Sequence, residues 1–432
     1  MEDYATRRRI LRERIGKDAV AIVLAAPERL RSRDTHHPYR QDSDFHYLTG
    51  FPEPEAVAVL APGRGEGEYL LFCRPRDPTR EIWDGRRAGP EGAVREHGAD
   101  QAFDIAELDK LLPELLGSRR QVYYTLGSRR SFDRRLAGWL NALKAQSRRG
   151  VSAPPELIAL DALLHELRLI KSGAELELMR RAADISAKAH VRAMQACRPG
   201  RYEYQLAAEL RHEFEMNGAT PAYGSIVGGG ANACILHYVE NSAPLRERDL
   251  VLVDAGAEYR NYCADITRTW PVSGKFEGAG RALYEVVLAA QAAAIAEVRP
   301  GRHWNQPHEA AVRALTEGLA TLGLLRGEVR ELIETEAYKR YYMHSTGHWL
   351  GMDVHDVGAY KLNGQWRELQ PGMVLTVEPG LYVAPDAPDV DERFRGIGIR
   401  IEDDVHVTGS GPEILTAGVP KAVAEIEALM RR

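Results

Sequence analysis

The sequence predicts an α/β protein: a small mixed α/β N-terminal domain followed by a larger domain built from two similar halves. Three observations carry that prediction. At 432 residues the chain is long for a single hydrophobic core. Short apolar strand-like runs alternate with helical patterns as far as SRRGVSAPPE (147–156), where Pro154 and Pro155 punctuate the chain. Beyond that point one pattern, two helices followed by strands, occurs twice. The predicted domains are therefore residues 1–160 and 161–432.

In the first domain AVAIVLAAP (19–27), AVAVLAP (56–62) and YLLFC (69–73) are apolar, partly β-branched and bounded by Pro or Gly, as strands are. Residues 106–116 and 132–145 carry helical spacing. The second domain opens on a capping box, Ser172 with Glu175. Leu178, Ala182, Ile185 and Ala189 then recur at helical spacing. That helix is expected to stop at Arg198-Pro199-Gly200, and a second to run from about Tyr202 to Gly218. An alanine-rich helix (about 279–298) likewise stops at Arg299-Pro300-Gly301, before another from about Gln306 to Gly323. The tetrapeptide RPGR stands at both joints, 198–201 and 299–302.

The strands repeat as well. DLVLVDAGAEY (249–259) overlays GMVLTVEPGLY (372–382), so that Asp254 meets Glu378 and Gly256 meets Gly380. Each half then supplies one further acid, Asp265 in ADITRT and Glu402 in GIGIRIEDDV. Helices backing strands around a pseudo-two-fold axis would bring these four acids together.

Composition narrows the function. A formal net charge of −5, with no isolated basic block, gives nucleic-acid binding no electrostatic support. The arginines of the first helix (Arg7, Arg8, Arg9, Arg12, Arg14) alternate with acids and lack the apolar stretch of a signal peptide. No segment is expected to span a membrane. Cys73, Cys197, Cys234 and Cys263 form no CxxC pair, which fits reduced thiols in a cytoplasmic protein.

Converging carboxylates raise one another's pKa unless protons, cations or metal ions relieve them. Asp254 and Glu378 end the apolar runs Val251–Val253 and Val374–Val377, so burial is expected and two divalent ions would use the charge well. MHSTGHWLGMDVHD (343–356) adds His344, His348 and His355, the first two spaced for one face of a helical turn. His237, in CILHYVEN, is a fourth imidazole near the first acid pair. Oxygen donors with one imidazole suit Mn²⁺.

These residues resemble the five-ligand set of the "pita-bread" dinuclear metallopeptidases, and within them the bacterial aminopeptidase P family. The matching segments are HELRLIKS (165–172), ILHYVEN (235–241), DLVLVDAG (249–256), DITRTWPV (265–272), GHWLGMDVHDVG (347–358), MVLTVEPGLY (373–382) and RGIGIRIEDD (395–404). DFHYLTGF (44–51) and IWDGRRAGPEGA (82–93) resemble the family's N-terminal domain. The resemblance implies release of the first residue from peptides with proline second, through a hydroxide bridging two metal ions. It implies Asp254, Asp265, His348, Glu378 and Glu402 as ligands, with Asp265 and Glu402 bridging, and Glu378 as proton shuttle. His237, His344 and His355 would surround the substrate carbonyl, Arg400 would orient the carboxylates, and Tyr382 would support Glu378. Trp83 matches a residue that enters a neighbouring subunit's cleft, implying a homo-oligomer, a tetramer by resemblance. Two stretches depart from the pattern: MHSTGHW (343–349), and KLNGQWRELQPG (361–372), where Arg367 is a candidate for the cleft. The alternatives are a prolidase, restricted to Xaa-Pro dipeptides, and a non-catalytic binding module on the same fold.

Overall fold

A computed structural model describes residues 3–431. It divides into two compact units, Met1–Leu167 and Arg168–Arg432. In the first, a six-stranded sheet has the order Gln101–Asp104, Tyr69–Cys73, Val57–Leu60, Ala19–Leu24, Gln121–Tyr123, Glu156–Ile158. Three of the inner strands, Tyr69–Cys73, Val57–Leu60 and Ala19–Leu24, are buried along their whole length, which accounts for their unbroken apolar runs. Leu108, Leu112 and Leu116 of one helix, and Phe132, Leu136, Trp139 and Leu143 of another, pack into the same core as Val20, Ile22, Val59 and Phe72. Those spacings are the ones that marked both helices in the sequence.

The second unit repeats itself as its sequence does. Its first helix, Gly173–Ala196, carries the capping box: the Ser172 amide donates to Glu175, and the Glu175 amide donates to the Ser172 hydroxyl. Glu203–Met216 follows, and in the other half Gly278–Ala296 and Asn305–Thr321 take the same places. The RPGR joints share a conformation, with Gly200 at φ +84° and Gly301 at +82°, the left-handed region that glycine enters without strain. The helix Gly278–Ala296 is long and apolar enough to cross a membrane by length and composition, contrary to expectation. Here Leu283, Val287, Ala290 and Ala294 face protein, so its apolarity serves the core.

The strands match in order. Leu250–Asp254 pairs antiparallel with Thr267–Pro271, and Val374–Val377 pairs antiparallel with Asp403–Thr408. Between them lie Ala257–Tyr259 with Tyr262–Cys263 in one half, and Gly380–Val383 with Ile397–Arg400 in the other. One core joins the two, with Val251, Val253 and Trp270 in the same cluster as Leu381, Ile399 and Ile401. In each half, one acid ends the first strand and another sits just before the last.

Candidate metal centre

An acid can end an apolar strand here because the strand delivers it to the middle of the unit. Asp254 is 9% exposed, Asp265 5% and Glu402 2%. Single ligand atoms of Asp265, His348 and Glu402 lie within 4.8 Å of one another. His348 Nε2 is 3.4 Å from Asp265 Oδ2 and 3.8 Å from Glu378 Oε1. The five predicted ligands all line one cleft, together with His237, His344, His355 and Arg400.

The halves interlock at the acids. The Asp265 amide donates to the Asp404 carboxylate at 3.1 Å, and the Glu402 amide donates to the Thr267 carbonyl at 3.0 Å. Thr267 also donates its hydroxyl to Glu402 at 2.6 Å while accepting from Arg400 Nε at 3.1 Å. A close backbone approach makes this geometry possible. A Cβ on Gly256 would stand 1.7 Å from the Ala264 carbonyl oxygen, so the segments bearing Asp254 and Asp265 meet only because residue 256 has none.

The segment around His348 is irregular and extended, not helical. It runs beside Val374–Val377: the Thr376 amide donates to the His348 carbonyl, the Glu378 amide donates to the Thr346 carbonyl, and Trp349 bridges Leu375. Glycine again allows it, since a Cβ on Gly347 would lie 2.0 Å from the Thr376 carbonyl. His348 Nδ1 faces the Trp349 carbonyl at 2.9 Å, which fixes the proton there and leaves Nε2 free to ligate. The four-residue spacing of His344 and His348 therefore does not put them on a helix face. His344 instead turns its Nε2 to the Tyr382 hydroxyl at 2.9 Å. His237 and His355 are exposed at the cleft, and the His355 ring lies edge-on to His348 with centroids 4.3 Å apart.

Arg400 ties the group together, donating to Asp254 at 2.6 Å and to the Tyr382 hydroxyl at 3.0 Å. Burial and the crowding of Asp265, Glu378 and Asp254 raise Glu402 far above the carboxylate range, and burial lifts Glu378 to about 7. Burial alone would lower His348, but its hydrogen bond to Asp265 and the charge of Glu378 hold it up at about 9. Burial lowers His344 to about 4. Four carboxylates crowded in one buried site, with one imidazole aimed among them, are a donor set that fits divalent metal.

Several partners escape sequence reasoning. The Tyr223 hydroxyl lies between Asp254, at 2.6 Å, and Asp265. Nothing in PAYGS (221–225) marks it. Thr267 and Asp404 each follow one of the candidate acids by two residues, so strand alternation was the available signal. Arg367 is buried and absent from the cleft lining, where Lys361 and Trp366 stand instead. Trp83 lies in the first unit and is 83% exposed.

Comparison with known proteins agrees with this geometry. The model of metallopeptidase family M24 matches residues 177–409, and that of the aminopeptidase P N-terminal domain matches 4–123. The chain is a metallo-exopeptidase of family M24, with the pita-bread catalytic fold. Within that family it belongs with aminopeptidase P. The Xaa-Pro aminopeptidase of Escherichia coli is 48% identical, over 99% of this chain and 97% of its own. The solved structure of Pseudomonas aeruginosa aminopeptidase PepP is 58% identical with a TM-score of 0.98, covering 99% of this chain and 97% of its own. Zinc-substituted E. coli aminopeptidase P, solved with product, is 48% identical with a TM-score of 0.96, covering 99% and 97%.

Proposed function

We propose that the centre removes the first residue from peptides whose second residue is proline, in the presence of two divalent ions. The observation that carries this reading is the convergence of Asp254, Asp265, His348, Glu378 and Glu402 from both halves on one cleft. Asp254, Asp265, His348, Glu378 and Glu402 would hold the ions. The oxygen-rich donor set with one imidazole favours Mn²⁺. When bound, two such ions polarise a carbonyl and supply a nucleophilic hydroxide near neutral pH.

The chain's own groups do the rest. An Xaa-Pro bond is a tertiary amide whose nitrogen carries no proton, so the leaving prolyl nitrogen must be given one. Glu378 would take a proton from the attacking water and deliver it there, and its side chain, 18% exposed against 7% for Asp265, supports that choice between the two. His237 and His355, open to the cleft, can donate to the oxygen that gains charge. Arg400 and Tyr382 keep Asp254 in place, and His344 holds Tyr382. Full-length identity to proteins named Xaa-Pro aminopeptidase favours this reading over prolidase.

Cytoplasmic residence is proposed from the four scattered cysteines, no two of which form a CxxC pair. Assembly, a tetramer by resemblance, is proposed from Ile82 and Trp83, 82% and 83% exposed side by side on one short helix. In the central test, Asp265→Ala is assayed for metal content and for cleavage of an Xaa-Pro-Yaa tripeptide beside an Xaa-Pro dipeptide. The variant is expected to lose metal and rate together. Retention of both defeats the metal assignment, and wild-type activity on the dipeptide alone makes the protein a prolidase.

A further inference from the structure

The two RPGR joints share more than their turn. In the first half the Leu245 amide donates to the Arg201 carbonyl at 2.7 Å, and the Glu203 amide to the Ala243 carbonyl at 3.0 Å. In the second half the Leu369 amide donates to the Arg302 carbonyl at 2.7 Å, and the Trp304 amide to the Arg367 carbonyl at 2.9 Å. Between these bonds Tyr202 bridges Pro244 and His303 bridges Glu368, both antiparallel. Leu245 stands nine residues before Asp254, and Leu369 nine before Glu378. Each joint thus holds the segment that leads into one of the predicted ligand acids.

At one place in this frame the halves differ. Positions 203 and 304 correspond, yet the first is a glutamate and the second a tryptophan that lines the cleft beside Tyr360 and Trp366. The frame therefore does not require a carboxylate there, and Glu203 has another task. It opens the helix Glu203–Met216 and is fully buried. Its Oε1 accepts from the Gly229 amide at 2.8 Å and from Asn232 Nδ2 at 2.9 Å. Its Oε2 accepts from the Tyr238 hydroxyl at 2.9 Å and from the Ala243 amide at 2.8 Å. Four donors engage a group that is costly to bury unpaired.

All four donors belong to residues 229–243, the stretch that carries His237. His237 is exposed at the cleft, while its neighbour Tyr238 is buried and reaches Glu203. A second brace lies further along. Asn241, at φ +47°, accepts from the Val227 amide at 2.9 Å and donates to the Ser225 carbonyl at 2.8 Å. Val227 belongs to the strand Ile226–Gly229, which pairs with Leu250–Asp254. The loop is thereby tied to a helix on one side and to the sheet that bears Asp254 on the other.

We infer that Glu203 is a positioning residue for His237: its carboxylate fastens the loop 229–243 so that the imidazole meets the cleft in one place. This rests on the proposed Xaa-Pro aminopeptidase reading, in which His237 donates to the oxygen that gains charge. Such a donor contributes most when it needs no reorganisation, and a small displacement removes much of the gain. A carboxylate is acceptor-only and takes all four bonds, whereas a glutamine amide would turn its NH₂ towards two of the donors.

The test is a double-mutant cycle on full-length, metal-loaded enzyme with an Xaa-Pro-Yaa tripeptide, reading kcat and KM separately. Glu203→Gln is expected to lower kcat about tenfold with KM within about twofold, while metal content and far-UV circular dichroism are kept. In a His237→Ala background the same substitution is expected to change kcat by less than about twofold, because the group it positions is gone. An equal loss in both backgrounds, a wild-type kcat in Glu203→Gln, or a wild-type kcat in His237→Ala overturns the inference. Should Glu203→Gln fail to fold, Tyr238→Phe, which removes one donor and leaves the other three, decides in the same cycle, with an expected loss of about threefold. A wild type that cleaves no such tripeptide removes the reading itself, and this inference with it.

Discussion

Asp356 stands fully buried between two cations, with Arg168 at 2.6 Å and Lys171 at 2.9 Å. It follows His355, and Arg168 also reaches Asp353, so these contacts anchor the loop that carries a cleft imidazole. Burial alone would raise this carboxyl, yet Lys171 and Arg168 outweigh it and hold it below the usual range. Its stabilising effect is therefore complete above the unfolded carboxylate value and is lost as pH falls through the lower folded one. Asp356→Asn leaves two buried cations short of a partner and is expected to cost about 3–5 kcal/mol in urea unfolding at neutral pH. A cost under about 1 kcal/mol, the range of exposed pairs, would show that the cations find other partners. Asp254 and Glu378 were legible as candidate site residues because an ionisable group closing an apolar strand is a local contradiction. Tyr223 was not, since a tyrosine in a glycine-containing loop contradicts nothing.

At the scale of elements, the helix pairs and the strands with their acids were readable because their periods, caps and joints are local properties. The segment 343–349 was not. Its histidines suggested a helical turn, but its conformation is set by Val374–Val377 alongside, a partner some thirty residues on. Gly256 shows how tightly such contacts are built. Gly256→Ala would push Ala264 away and separate Asp254 from Asp265. The variant is expected to keep its far-UV circular dichroism and lose most of its bound metal, measured by elemental analysis after gel filtration. Full metal content would mean that the backbone relaxes without moving the acids.

Across the whole chain, the two-part organisation followed from length and punctuation, and the internal duplication from RPGR and the paired strand motifs. The sequence placed a boundary near 160, and the units divide at Leu167 and Arg168, within the helix Asp161–Leu169. Continuous helix carries no punctuation, so a division inside one leaves no mark on composition. The aromatic wall of the cleft was equally silent. Trp304 stands far along the chain from Tyr360 and Trp366, and only the folded backbone brings it to them.

The interlock at the acids has a consequence for cutting the chain. The Asp265 amide depends on Asp404 and the Glu402 amide on Thr267, so each half holds a hydrogen-bonding partner of the other. Each half also brings only two of the four acids. Between the last strand of the first half and the helix Gly278–Ala296 lies an exposed stretch around Ser273 and Lys275, well suited to a break. Fragments 1–274 and 275–432, produced separately, are each expected to be inert and to bind metal weakly. Refolded together they are expected to recover hydrolysis, which makes the centre a reporter of fragment complementation. Stoichiometric metal on either fragment alone would show that one half suffices.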